Sequence, residues 1–307
     1  MKRARLIYNP ASGREQIKKH LPYILNSLEE AGYETSTHAT KGKDCAKNAA
    51  ADACDKKFDL IIGAGGDGTI NEIVHGMAEK PYRPKLGLLP GGTTNDFARA
   101  LHISKDIEEA CDQLVQGRIV PVDIGKIKDE YFINIAGGGT LTELTYEVPS
   151  RLKTMLGQLA YYVKGVEKLP RIRPTEVTIE YDGKRFEGEI MLFLIANTNS
   201  VGGFEKLAPE AKINDGYFDM ILVKKTNLAD VVMLAGAALR GEHMQDHRIM
   251  YRQASRINVS AESEMLLNVD GEYGGKLPGE FINLHAHIEM IIPDIELPCV
   301  QYDNQES

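Results

Sequence analysis

Apolar and polar positions alternate in two distinct textures along the chain. Through the first 117 residues, short apolar runs are followed by helical spacings: Arg5 to Tyr8 predicts a strand, and Ile17, Leu21, Ile24 and Leu28 then recur at helical intervals before Gly32. Tyr33 to Thr40 predicts a second strand, an alanine-rich stretch from about Asp44 to Asp55 a second helix, and the unbroken apolar run Phe58 to Ile62 a strand buried on both faces. A helix from Thr69, a strand over Lys85 to Leu89, and helices over Asn95 to Leu101 and Ile107 to Val115 complete the alternation. It predicts a parallel sheet with helices on both sides.

From Ile119 onward the pattern becomes strands joined by tight turns. Tyr181-Asp182-Gly183-Lys184 and Val269-Asp270-Gly271-Glu272 each place Asp-Gly where a two-residue hairpin wants it. Leu152, Leu156, Leu159, Val163 and Val166 step by 4, 3, 4 and 3, which predicts one long amphipathic helix, and Asn227 to Leu239 predicts another. The expected boundary lies near residues 117 to 125, giving a first domain over 1–123 and a β-rich second domain over 124–307, with the extreme C-terminus packing back on the first.

Length and charge narrow the function. A chain of 307 residues, 43% hydrophobic, can bury two cores. Its formal net charge of −8 opposes general nucleic-acid binding, which needs a basic footprint. No run approaches the roughly 20 apolar residues of a bilayer span, and Met1 to Asn9 lacks the apolar stretch of a secretion signal, so a cytoplasmic location is expected. Cys45, Cys54, Cys111 and Cys299 lie far apart without Cys-x-x-Cys spacing, which predicts reduced, mostly structural thiols.

Three glycine-rich segments each follow a predicted strand: Asn9-Pro10-Ala11-Ser12-Gly13, Gly65-Gly66-Asp67-Gly68-Thr69, and Leu89-Pro90-Gly91-Gly92-Thr93-Thr94-Asn95-Asp96. In a parallel sheet such loops gather at the carboxyl ends of the strands, where ligands bind. Glycine admits backbone N–H groups to phosphate oxygens, and a following helix presents its positive end; alternatively, each loop is simply a tight turn. There is no Gly-x-x-x-x-Gly-Lys-Ser/Thr run and no Gly-x-Gly-x-x-Gly after the first strand, so the cradle is neither a P-loop nor a dinucleotide fingerprint.

The run from Gly65 to Glu72, followed by Leu89 to Arg99, resembles the diacylglycerol kinase catalytic domain in motif, order and separation. The resemblance continues through Leu152-Lys153-Thr154-Met155-Leu156-Gly157, Asn214-Asp215-Gly216-Tyr217-Phe218 and Asp270-Gly271-Glu272-Tyr273, closest to the bacterial soluble diacylglycerol kinases. It implies a Rossmann-like first domain, a β-sandwich second domain and an active site in the cleft. It also implies ATP- and Mg²⁺-dependent phosphorylation of diacylglycerol to phosphatidic acid.

Carried over residue by residue, the resemblance assigns ATP contacts to Asn9, Pro10, Ala11, Ser12, Gly13, Thr40, Gly66, Asp67, Gly68, Thr69, Ile70, Asn71, Glu72 and Thr93. Asp67 beside phosphates needs a cation between them, so it is expected to meet Mg²⁺ directly or through water; the alternative is an N-cap for the helix from Thr69. Glu272 would be the base that takes the acceptor's hydroxyl proton, with Asp270 as a supporting carboxylate; the alternative is an ordinary hairpin with Glu272 solvated. A second, structural Mg²⁺ would be held by Asp215 and the backbone carbonyls of Lys212 and Tyr217, with Asp96 and Asp123 linking its waters to the nucleotide side; cap and surface roles are their alternatives.

Between Ser150 and Pro174, Arg151, Lys153, Lys164, Lys168, Arg171 and Arg173 outnumber the single acidic Glu167. That asymmetry suggests a face for an anionic membrane, with Lys153, Lys164, Lys168, Arg171 and Arg173 towards it, giving peripheral attachment; a solvated helix face is the alternative. His243, His247, His285 and His287 read as surface residues rather than zinc ligands. The resemblance adds a homodimer. A sphingoid-type lipid kinase, an NAD kinase-like enzyme and a nucleotide-gated lipid-binding module stay as alternatives; against the second, no Thr-Pro-Thr-Gly-Ser-Thr segment is present.

Overall fold

The computed structural model describes residues 1–139, 173–199 and 207–302. The helix expected over Leu152 to Val166 lies outside them, as do Arg151, Lys153, Lys164, Glu167, Lys168 and Arg171. The chain divides into two compact units, Met1–Ile124 with Ala286–Ser307, and Gly125–His285.

The first unit is a parallel α/β layer structure. Its strands β1 (Lys2–Tyr8), β2 (Tyr33–Ala39), β3 (Leu60–Gly65) and β4 (Lys85–Pro90) run in spatial order β4-β3-β1-β2, and the end of β15 (Gly279–Ile292) joins parallel to β4 through Met290 and Leu86. Helices α1 (Gln16–Glu30), α2 (Cys45–Asp55), α3 (Asp67–Met77), the short α4 (Asp96–Ala100) and α5 (Ile107–Gln116) connect the strands. Every residue of β3 is buried, as a continuously apolar run requires of a central parallel strand.

Register places helices on both faces of this sheet. Ile62 pairs with Gly87 and Gly63 with Leu88, so Gly63 and Gly87 point to opposite sides. A side chain at Gly63 would run into Ile70 and Ile73 of α3, whereas one at Gly87 would meet Leu114 of α5. Helix α5 starts on a conventional cap, the Asp106 carboxylate accepting Glu108 N and Glu109 N.

The second unit is antiparallel. Its strands are the end of β5 (Arg118–Ile127), β6 (Glu130–Phe132), β7 (Ile135–Gly139), β8 (Thr175–Tyr181), β9 (Lys184–Ala196), β10 (Phe218–Lys224), β11 (Ile249–Ala254), β12 (Arg256–Ala261), β13 (Leu266–Val269), β14 (Glu272–Lys276) and the start of β15. Strand β9 organises them, pairing with β8 over its first half and with both β7 and β10 over its second. Alternate residues enclose a core in which the Phe132 and Phe218 rings stack at 5.4 Å and Phe193 meets Phe281 edge-on at 6.0 Å. Helix α6 (Leu228–Arg240) begins at Asn227, whose side chain accepts Asp230 N, and ends on Gly241 at φ 74°.

Both Asp-Gly turns are two-residue hairpins with positive φ at each central residue: 42° and 78° at Asp182-Gly183, 48° and 89° at Asp270-Gly271. Some expectations shift. Helix α3 starts at Asp67 rather than Thr69, with Gly66 at the N-cap, so the capping alternative for Asp67 does not hold. His243 is not on the surface: it is 3% exposed, its Nε2 lies 2.9 Å from Leu207 O, and burial holds its imidazole below the ordinary range. All four cysteines are free.

Candidate functional site

Three loops close on one another at the carboxyl ends of β1, β3 and β4. After β1, Asn9 Oδ1 accepts Ala11 N at 3.0 Å, turning the chain so that Ser12 Oγ donates to Gly91 O at 2.5 Å. After β3 and β4, Gly91 N donates to Gly65 O at 2.8 Å, and a Cβ at Gly92 would stand 2.6 Å from Gly66 Cα. Only glycine permits that approach. Thr40 joins the group from β2, its N–H donating to Tyr8 O at 2.9 Å, and Thr93 is exposed beyond Gly92.

Within the residues assigned to ATP, the structure separates roles. Asp67 is half-buried in the first turn of α3, and its Oδ1 lies 3.5 Å from Phe97 N, a long contact that ties α3 to α4. Gly68 is exposed, with nothing within 4 Å of where its Cβ would be, so the protein itself makes no demand for glycine there. Ile70 is 5% exposed, packed towards the strand at Gly63, and offers a ligand no side chain. Glu72 is a brace: its two carboxylate oxygens accept Asp44 N at 3.1 Å and Ala46 N at 3.0 Å, at the start of α2. Ile70 packs α3 against the sheet, and Glu72 braces the start of α2.

Asp96 pairs with Arg99 at 3.8 Å, and Arg99 also donates to Thr94 O at 2.8 Å. Asp123 is fully buried, so the surface alternative fails for it; its Oδ1 accepts Ala286 N at 2.7 Å, where Ala286 sits at φ 51°.

The remaining assigned residues fall in the second unit. Asp270 Oδ2 accepts Ile133 N at 2.8 Å, and Oδ1 accepts Asn134 N at 3.0 Å and Ile135 N at 2.9 Å. Asp182, at the same position of the other Asp-Gly hairpin, uses its carboxylate in the same way, on Ser255 N and Arg256 N. This shared device shows the Asp270 carboxylate bracing its turn. Glu272, the first residue of β14, is exposed two positions on, carried by the turn that Asp270 fixes.

Asp215 and Tyr217 flank Gly216 at φ 81°, and Asp215 Oδ1 accepts Tyr217 N at 3.0 Å, closing a tight loop three residues after Lys212 in the chain. Nearby Asp219, fully buried on β10, carries no signal in the sequence. Burial pushes its carboxyl up to about 6, and the neighbouring charge of Asp215 adds to the shift, against hydrogen bonds from Tyr251 and Gln253. Its Oδ2 has no hydrogen-bond partner among the described residues. A cation at the Asp215 loop would relieve the repulsion between these carboxylates. Among the described residues no three His, Cys, Asp or Glu side chains converge on a metal.

Comparison with known proteins decides the lineage. Residues 3–127 match the diacylglycerol kinase catalytic domain model, and residues 143–293 match the YegS C-terminal NAD kinase beta sandwich-like domain model. A diacylglycerol kinase of Bacillus subtilis (strain 168) is 62% identical over 294 residues, covering 95% of this chain and 97% of that protein. The chain belongs to the diacylglycerol kinase family. A diacylglycerol kinase of Staphylococcus aureus (strain MRSA252) is 53% identical across 95% of this chain and 93% of its own. The fold agrees with that of a diacylglycerol kinase structure from Bacillus anthracis str. Sterne, at TM-score 0.77 and 28% identity over 95% of this chain and 97% of that one. No helix among the described residues is long and apolar enough to cross a membrane.

Proposed function

We propose that the protein transfers the γ-phosphoryl group of ATP to the free hydroxyl of diacylglycerol, giving phosphatidic acid and ADP. The observation that carries this reading is the closure of the three glycine loops on Gly91, joined to near full-length similarity to proteins named diacylglycerol kinase. In the reaction, Glu272 takes the hydroxyl proton, the acceptor oxygen bonds to the γ-phosphorus, and the bond from that phosphorus to the bridging oxygen of ADP breaks. Loop amides and the Thr40 and Thr93 hydroxyls bind and orient the polyphosphate.

Mg²⁺, when bound, neutralises charge on the transferring group. Asp67 is the residue to hold it on the nucleotide side, and Asp215 with the carbonyls of Lys212 and Tyr217 the set for a structural ion. Arg173, at the edge of the described residues, belongs with the basic segment proposed to meet an anionic leaflet, and the enzyme works there as a peripheral protein.

The test is transfer of labelled phosphate from ATP to a panel in mixed micelles: diacylglycerol, a sphingoid base and, in solution, NAD. Diacylglycerol should be labelled by the wild type, Asp67→Ala should be inactive, and Glu272→Gln should lose about 10²- to 10⁴-fold in turnover with ATP affinity retained. Label on the sphingoid base or NAD alone reassigns the acceptor. Full turnover by Glu272→Gln removes Glu272 from the role of base.

A further inference from the structure

Asn95 closes the turn after β4 with both ends of its amide. Its Oδ1 accepts Gly92 N at 2.8 Å, and its Nδ2 donates to Gly92 O at 2.7 Å. The residue is 5% exposed and stands at φ 50°, ψ 54°, a left-handed conformation that Asn adopts more readily than most side chains. One side chain thus occupies both backbone groups of the residue three positions before it.

Three consequences follow for the loop. Gly92 has no N–H left to offer a ligand, so the turn's next amide and hydroxyl, those of Thr93, are the first available. Gly92 is held where it packs on Gly66 of the neighbouring loop. Beyond Asn95, Phe97 N reaches Asp67 Oδ1 at 3.5 Å and Arg99 fixes Thr94 O at 2.8 Å, so the segment Gly92–Phe97 is anchored at both ends and touches the carboxylate assigned to Mg²⁺.

We propose that Asn95 is a positioning residue for the nucleotide: its clamp on Gly92 sets the Thr93 turn, and through Phe97 the Asp67 carboxylate, in the geometry that receives the polyphosphate. The inference rests on the nucleotide reading above. It predicts loss of binding through misplacement, since a donor moved out of reach forfeits a charge-assisted hydrogen bond worth roughly 10- to 100-fold in affinity.

Two variants separate this role from simple stabilisation. Asn95→Gly keeps the left-handed backbone without strain and removes both clamp bonds, whereas Asn95→Ala removes the bonds and adds strain. ATP affinity by calorimetry, Tm, and amide hydrogen exchange over residues 91–97 are measured on both and on the wild type. Expected are a rise in ATP Kd of about 10- to 100-fold in both variants and a lower Tm in both, with the larger drop in Asn95→Ala, which adds backbone strain to the lost bonds. The Gly92 amide should exchange slowly in the wild type and fast in both variants. Wild-type ATP affinity in Asn95→Gly, or a slow Gly92 amide there, overturns the proposal. A wild type that binds no ATP overturns the nucleotide reading instead, and the exchange data then decide the clamp on their own.

Discussion

Asp270 and Ile135 bind each other twice: Asp270 Oδ1 accepts Ile135 N at 2.9 Å, and Ile135 O accepts Asp270 N at the same distance. The first residue of a β-hairpin turn is thereby anchored to a strand 135 positions earlier in the chain. The carboxylate takes two further amides, Ile133 N and Asn134 N, which would lack acceptors without it. Asp270→Asn replaces an acceptor oxygen with a donor facing those amides, and should destabilise by roughly 2–4 kcal/mol, measured by urea unfolding. Asp182→Asn should destabilise comparably yet leave turnover unchanged in the folded fraction, because only the Asp270 turn carries Glu272. Equal turnover in the two variants would reduce Asp270 to a purely structural part.

Gly68 sits in the first turn of α3 with open space where a side chain would stand. Replacing it by Ala removes the entropic penalty of a helical glycine and should stabilise the fold by about 0.5–1 kcal/mol. ATP affinity should fall, because the added methyl occupies space needed for close backbone approach to phosphate. A higher Tm together with weaker ATP binding is the expected pair of results; unaltered ATP affinity would mean that no ligand approaches this residue.

Arg248 bridges two carboxylates, with Nη1 2.6 Å from Asp230 Oδ1 and Nη2 2.6 Å from Asp246 Oδ2. Hydrogen bonds from the Arg248 guanidinium hold Asp246 well below the usual carboxylate range; for Asp230, the Thr226 hydroxyl contributes first and Arg248 next. A carboxylate with a depressed native pKa adds stability above its unfolded value of about 3.9 and loses that stability as pH falls through its native value. The Tm deficit of Arg248→Met should therefore be full at pH 7 and shrink progressively below about pH 4. A deficit independent of pH would assign the effect to packing of the Arg248 stem.

Cys45 is half-exposed, with His38 Nε2 3.3 Å from its sulfur, whereas Cys54, Cys111 and Cys299 are buried. Burial pushes the Cys54 thiol up to about 11 and raises Cys111 as well. A chromogenic disulfide should find one accessible thiol in the native protein at neutral pH and four after denaturation. Cys45→Ser should abolish the native signal; a persistent signal would show that one of the buried sulfurs becomes accessible.

Periodicity and turn chemistry carried much of the architecture. Strands β1 to β4 and their helices follow from apolar spacing, and both hairpins from Asp-Gly, because each signal is confined to a few neighbouring residues. Glycine density marked the three loops as one class of object. What separated Gly68 from Gly92 was not written locally: one glycine faces open space, the other a neighbouring loop.

Sequence alone determined the element types, the family motifs and the chemistry on offer, since backbone preference and residue type are properties of short segments. Tertiary structure decided what each polar group does: Glu72 caps α2, Asp270 steadies a turn, His243 goes inside, Asn95 locks Gly92, and Asp219 is buried beside another carboxylate. A carboxylate or amide answers to whichever donors and charges surround it. Most of those partners lie far away along the chain and become neighbours only when it folds.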